Sequence, residues 1–199
     1  YGSFEPGSVM AIKTCPDEVL DQIPFFRMCE EILKHTVLAK NPFKLTASTS
    51  SLPVKIVKEL YETGIRKHEF IEKGIVKLYK ETDWNFLHVA KIILEVAGIV
   101  RKTHGKWNLT KKGEKLTKPQ ERNALFRTIL VTFIQKYNWA YLDYYVEMPQ
   151  EFGNIGAGFS LAMFAHFGDK VRSTDFYCNR YLEAFPVFQR KMQGFQYSF

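Results

Sequence analysis

The stretch AGIVRKTHGKWNLTKKGEKL, Ala97 to Leu116, constrains the fold more than any other part of the sequence. Gly98 stops a preceding apolar helix, and Ile99 to Lys102 reads as a short strand. Thr103 to Gly105 is a tight turn in which Gly105 can take a positive φ, and Lys106 to Leu109 is the return strand. Thr110 is placed to cap a helix beginning KKGEKL, with Glu114 adding negative charge near its N-terminus. A hairpin held between two helices cannot bury its own faces, so the rest of the chain must fold around it.

The flanking segments supply the expected neighbours. Asp17 to Lys40 is mostly helical, restarted by Pro24 and ended by Asn41-Pro42. Phe43 to Thr46 alternates as a short strand would, and ASTSS after it is a loop. Pro53 to Thr63 is an amphipathic helix with Val54, Val57 and Tyr61 on one face, Ile56 and Leu60 alongside and Gly64 just past its end. Residues 65 to 82 form a connecting turn and a short helix, after which Asp83 is expected to cap a helix from about Trp84 to Ala97. The order of helix, strand, helix, helix, hairpin, helix is that of a winged helix-turn-helix, with Phe43 to Thr46 as the third strand and the hairpin as the wing.

After Pro119 the composition changes. Gln120 to Tyr137 repeats apolar residues at three- and four-residue spacing, and two further helices end at Gly168 and Pro186. Of 30 aromatic residues, 17 lie in the 63 residues from Tyr137 onward, a density that suits a packed core better than a cofactor site. The expected fold is therefore mainly α, a winged helix-turn-helix segment with a small β wing packed on an aromatic-rich C-terminal helical bundle. It divides into an N-terminal leader and helices (1–42), the winged-helix segment (43–118) and a C-terminal helical segment (119–199), together expected to form one compact unit. Met10 reads as a native start behind a short leader.

The chain carries a net charge of +7, and its distribution is uneven. Between Lys91 and Lys118 there are eight basic and two acidic residues, so this segment holds +6 of the total. Such a concentrated field attracts anionic partners. The basic side chains at the turn and the following helix are Arg101, Lys102, His104, Lys106, Lys111, Lys112 and Lys115, a pattern able to hold phosphates without reading sequence. Trp107 can stack on a base or pack inward beside Leu109, and the inward reading is preferred.

The helix that would enter the major groove is poorly equipped to read it. Nine of the twelve residues from Phe86 to Ala97 are apolar, and His88, Lys91 and Glu95 form a single narrow polar stripe. A helix apolar almost all round is buried, and of the side chains suited to base edges only Asn85 is present.

Other chemistry has little support. The five histidines are scattered, and the three cysteines, Cys15, Cys29 and Cys178, have no CxxC spacing, which suits reduced thiols. No nucleophile elbow, Walker loop or dinucleotide fingerprint occurs. Gly153, Gly156 and Gly158 form the one glycine-rich loop leading into a helix, a candidate anion or ligand loop that equally serves close packing of Phe159 and Leu161. NWAYLDYY, with Trp139 and Asp143, offers an Asp–Tyr cluster better suited to structural hydrogen bonding. No run is long and apolar enough to cross a membrane, and no signal peptide is evident.

Taken together, KLTASTSSLPVKIVKEL, LHVAKIILEVAGIVRKTHGKWNLTKKGEKL, LFRTILVTFIQKYNWAYLDYY and FYCNRYLEAFP resemble a group of uncharacterised bacterial proteins with a winged-helix segment, some of which accompany the Ri-plasmid open-reading-frame-type domain. The resemblance runs from about Lys44 to Pro186 and implies a cytoplasmic bacterial protein without supplying an activity. This sequence departs from the pattern in having ASTSS where a shorter, glycine-containing turn is expected. The functional expectation is a non-enzymatic binding protein without cofactor or metal. Its basic wing would contact nucleic-acid backbone without sequence specificity, or an acidic protein. The rival reading is a protein-interaction or assembly module in which the winged helix is only scaffold.

Overall fold

The computed structural model describes residues 4, 7–8, 11–36, 44–46, 49–139 and 156–188. It is mainly helical with one small antiparallel sheet. The chain divides into two compact units, residues 13–137 and residues 138–199 together with 1–12. The 119–199 segment is thus split, residues 119–137 with its leading helix belonging to the same unit as the hairpin and the N-terminal helices.

In the larger unit, α1 (Asp17–Leu20) and α2 (Pro24–Thr36) precede α3 (Val54–Glu62) and α4 (Glu69–Glu72). A 3-10 turn, Glu81–Asp83, leads into α5 (Asn85–Val96), followed by β1 (Val100–Thr103), β2 (Lys106–Leu109), α6 (Lys111–Leu116) and α7 (Arg122–Gln135). The central element is α5, against which α2, α7 and β1 pack. Leu87, Ala90, Ile93 and Leu94 are wholly buried on it, each larger side chain contributing about 1.5–3 kcal/mol of transfer free energy. Aromatic edges close the same core: Phe25 meets Phe86 and Phe133, Phe26 meets Phe126, and Tyr61 meets Trp84. Burial, with Glu30 nearby, pushes the Cys29 thiol well up from its ordinary range, so it stays protonated in this core.

The hairpin has a two-residue turn in which His104 (φ 51°) and Gly105 (φ 72°) both adopt the left-handed region, the backbone of a type I′ turn. The pairs Val100–Leu109, Arg101–Asn108, Lys102–Trp107 and Thr103–Lys106 set its register. The expected third strand is reduced, among the described residues, to a bridge between Lys44 and Lys106 with Leu45 N–H donating to Gly105 O at 2.8 Å. Phe43 lies outside the described residues.

Two local expectations change. Asp83 does not cap α5: its carboxylate accepts the N–H groups of Tyr79 and Lys80, each at 2.9 Å, and so closes the preceding turn. Trp84 occupies the N-cap position, where its buried ring is worth more to the core than a polar cap would be to the helix. Val54, placed on the apolar face of α3, is instead 39% exposed, and the buried set there is Val57, Leu60 and Tyr61.

Arg122, at the start of α7, ties the N-terminal helices to this unit. Its guanidinium donates from Nε to Glu30 Oε1 at 2.7 Å and from Nη2 to Glu30 Oε2 and Asp21 Oδ1 at 3.0 and 2.6 Å, with Asp17 at 3.2 Å. These carboxylates, Glu30 above all, push the guanidinium pKa further up. Beside it, Asn123 exchanges hydrogen bonds with the backbone of Cys15.

In the smaller unit, α8 (Ala157–Phe167) and α9 (Thr174–Ala184) pack through aromatic edges, among them Phe159 against Phe185 and Phe167 against Phe176. Gly168 ends α8, and the Ser173 hydroxyl caps α9 by accepting from Phe176 N–H at 3.2 Å.

Helix α6 docks on the root of the hairpin through Gly113, which is buried. A Cβ there would fall 2.1 Å from the Ile99 carbonyl oxygen, a backbone atom that cannot swing away. Substitution Gly113→Ala is therefore expected to destabilise the chain by about 1–3 kcal/mol, at the upper end for a clash with backbone. The measurement is the denaturation midpoint against that of Lys115→Ala on the exposed side of the same helix.

Candidate functional site

Pleat alternation divides the hairpin into two faces. Val100, Lys102, Trp107 and Leu109 share the inner one, while Arg101, Thr103, Lys106 and Asn108 share the outer one. Trp107 is only 3% exposed and its Nε1–H donates to Glu95 Oε1 at 2.8 Å, so the indole is a packed structural group and not a base-stacking platform. The bridge to Lys106 adds Lys44, a residue the sequence did not single out. Lys44, Arg101 and Lys106 are all exposed on the outer face, with His104 exposed at the tip. None of these four forms an ion pair with another described residue.

The remaining basic residues are not equivalent. Lys111 and Lys115 are exposed on α6. Lys112, although also exposed, donates its Nζ to the Ala97 carbonyl at 2.8 Å and so satisfies an orphan acceptor at the C-terminus of α5. Partial burial, and then the charge of Lys136, lowers the Lys112 pKa from its ordinary value. Lys102 turns from the inner face to donate to the Ser50 hydroxyl.

The polar stripe of α5 is consumed inside its own unit. Glu81 is wholly buried. Its carboxylate accepts the Leu52 N–H at 2.7 Å, lies 2.7 Å from His88 Nδ1, and pairs with Lys91 Nζ at 3.4 Å. Lys91, only 6% exposed, also donates to the Ser50 carbonyl at 3.0 Å and lies 3.8 Å from Glu95. Its ammonium stands 5.6 Å from the centre of the Trp107 ring. The stripe thus connects the loop before α3, the turn before α5 and the hairpin; it is not offered to a groove. Ser50 (φ 56°) occupies a backbone conformation that glycine would take more cheaply, and both Lys91 and Lys102 hold it there.

The glycine-rich loop has a packing role where it is described. Gly156 (φ 78°) is the left-handed N-cap of α8, and a Cβ there would meet the Phe185 ring at 2.4 Å. The aromatic ring fills the space that an anion cradle at Gly156 would need. Gly158 is half-buried in the first turn of α8, while Gly153 and Asp143 lie outside the described residues. Among the described residues no three His, Cys, Asp or Glu side chains converge as a metal site, and no helix is long and apolar enough to cross a membrane.

No family model, curated protein or solved structure matches the chain.

Two measurements follow from this geometry. Glu81→Gln or Lys91→Met alone removes one partner of a buried ion pair and is expected to cost about 3 kcal/mol, whereas the double substitution costs less than the sum of the two. A double-mutant cycle in denaturant reads the coupling directly. The Lys112 ammonium, being disfavoured in the folded chain, should release its proton below the ordinary lysine value, as followed by NMR of the isotopically methylated amine. Between that lowered value and about 10.4 the unfolded chain binds more protons, so the Lys112 contribution to stability rises with pH.

Proposed function

We propose that the larger unit is a winged helix-turn-helix that binds nucleic acid through phosphate contacts made by its hairpin wing, without reading sequence and without catalysing a reaction. One observation carries this reading: Lys44, Arg101 and Lys106 lie exposed on one face of the hairpin, unpaired by any described carboxylate, with His104 at its tip. The helix in the reader's position supports the absence of sequence specificity, since His88, Lys91 and Glu95 are engaged with Glu81, Ser50 and Trp107. Asn85, exposed at the start of α5, is too little to specify a site. Lys111 and Lys115 extend the same positive field along α6.

Such binding is dominated by counter-ion release and falls steeply with salt. Changing Lys44, Arg101 and Lys106 together to Glu is expected to weaken binding to duplexes of unrelated sequence equally. Replacing the same three by Gln should flatten the slope of log Kobs against log[salt] by about 2–3, close to one counter-ion per lost contact. Fluorescence anisotropy over a salt series gives both results. Duplex affinity unchanged by the triple Glu substitution would overturn the proposal.

A further inference from the structure

A second surface lies in the connection between α3 and α5. Residues 64–80, GIRKHEFIEKGIVKLYK, expose three large apolar or aromatic side chains: Phe70 at 50%, Ile75 at 68% and Tyr79 at 65%. Scattered single exposures are ordinary, but these three fall within ten residues of one another, 70–79. The N–H groups of Ile75 and Val76 both donate to the Phe70 carbonyl, at 2.9 and 3.0 Å, which folds Ile75 back beside Phe70. Tyr79 follows three residues after Val76, within about 10 Å along the chain.

The charges around these rings are unbalanced. Glu69 is paired with Lys73, Glu62 with Lys67 at 3.8 Å, and Glu72 accepts the Tyr61 hydroxyl at 2.8 Å. Asp83 is occupied by the backbone of Tyr79 and Lys80. Arg66, Lys77 and Lys80 are exposed and form no ion pair with another described residue. Exposed rings interleaved with unpaired cations make the chemistry of a stacking platform on a positive track.

We propose that this connection binds single-stranded nucleic acid, with Phe70 and Tyr79 stacking on unpaired bases and Arg66, Lys77 and Lys80 following the phosphates. An intact duplex keeps its bases stacked on each other and offers these rings nothing to stack on. An anionic membrane surface is the other partner of matching charge, but interfacial binding uses a continuous apolar helix face, and α4 is a four-residue helix from which only Phe70 of the three exposed side chains comes. The surface is separate from the hairpin and stands without it.

The test uses the full chain, a fluorescein-labelled 20-mer of oligothymidine and a labelled 20-base-pair duplex, both at low salt. The double substitution Phe70→Ala/Tyr79→Ala is expected to weaken single-strand binding about tenfold or more while leaving duplex binding within about twofold. Both side chains are half exposed or more, and an unchanged thermal melt establishes that the fold is retained. Phe70→Trp should keep the single-strand affinity and show quenching of its indole emission as the oligonucleotide stacks. Equal losses on single strand and duplex, or no loss on the single strand, would overturn the proposal. So would tighter binding to phosphatidylserine vesicles that depends on the same two residues. In the Lys44/Arg101/Lys106 triple Glu variant the preference for single strand over duplex should persist, so failure of the hairpin reading is distinguishable from failure of this one.

Discussion

The larger unit depends on a carboxylate that has no access to water. Glu81 sits in a short turn before α5, and a buried charge of that kind is tolerated only when each oxygen is satisfied. The Leu52 N–H, His88 and Lys91 satisfy it, and Lys91 in turn fixes the Ser50 carbonyl. Glu95, one turn further along, receives the Trp107 indole. This chain of contacts determines how the loop before α3 and the hairpin sit on α5. Apolar packing alone would allow those elements to slide, because dispersion contacts have no direction. Ionic and hydrogen-bonded partners do, and they specify one arrangement.

That arrangement decides which charges remain for a partner. His88, Lys91 and Glu95 on α5 each have a partner inside the unit, although Glu95 stays exposed. The hairpin, by contrast, uses its inner face for Val100 and Trp107 and leaves Arg101 and Lys106 outward, beside Lys44. The proposed division of labour follows from this. In that proposal α5 carries a charged ribbon whose contacts would be ones that any nucleic-acid backbone satisfies.

Several residues occupy positions that local preference disfavours, and each is answered by a tertiary contact. Ser50 takes a positive φ and is held by two lysines. Gly113, a poor helix former, lets α6 approach the Ile99 carbonyl. Lys112, which opposes the helix dipole of α6, offsets that small cost by donating to the Ala97 carbonyl at the C-cap of α5. Gly156 opens the space that Phe185 fills.

What the sequence by itself determined was local. The stop at Gly98, a turn closing at Gly105, the return strand from Lys106 to Leu109, and the cap at Thr110 depend on residues within four positions of one another, whereas the pairing of Thr103 with Lys106 narrowed the turn to His104-Gly105. Their physics is therefore contained in a short window. The periodicity of Val54, Val57 and Tyr61, with Leu60 alongside, announced the buried face of α3 except at Val54, and the near-continuous apolarity of α5 announced its burial. Tertiary structure decided what was long-range. That Asp83 would serve the preceding turn, that Glu81 would face Lys91, that Lys44 would stand beside Lys106, and that Lys112 would reach Ala97 all require elements separated in sequence to meet. A lysine's charge is legible in the sequence; whether it faces solvent, a buried carboxylate or a helix end depends on what the fold places within about 4 Å of it.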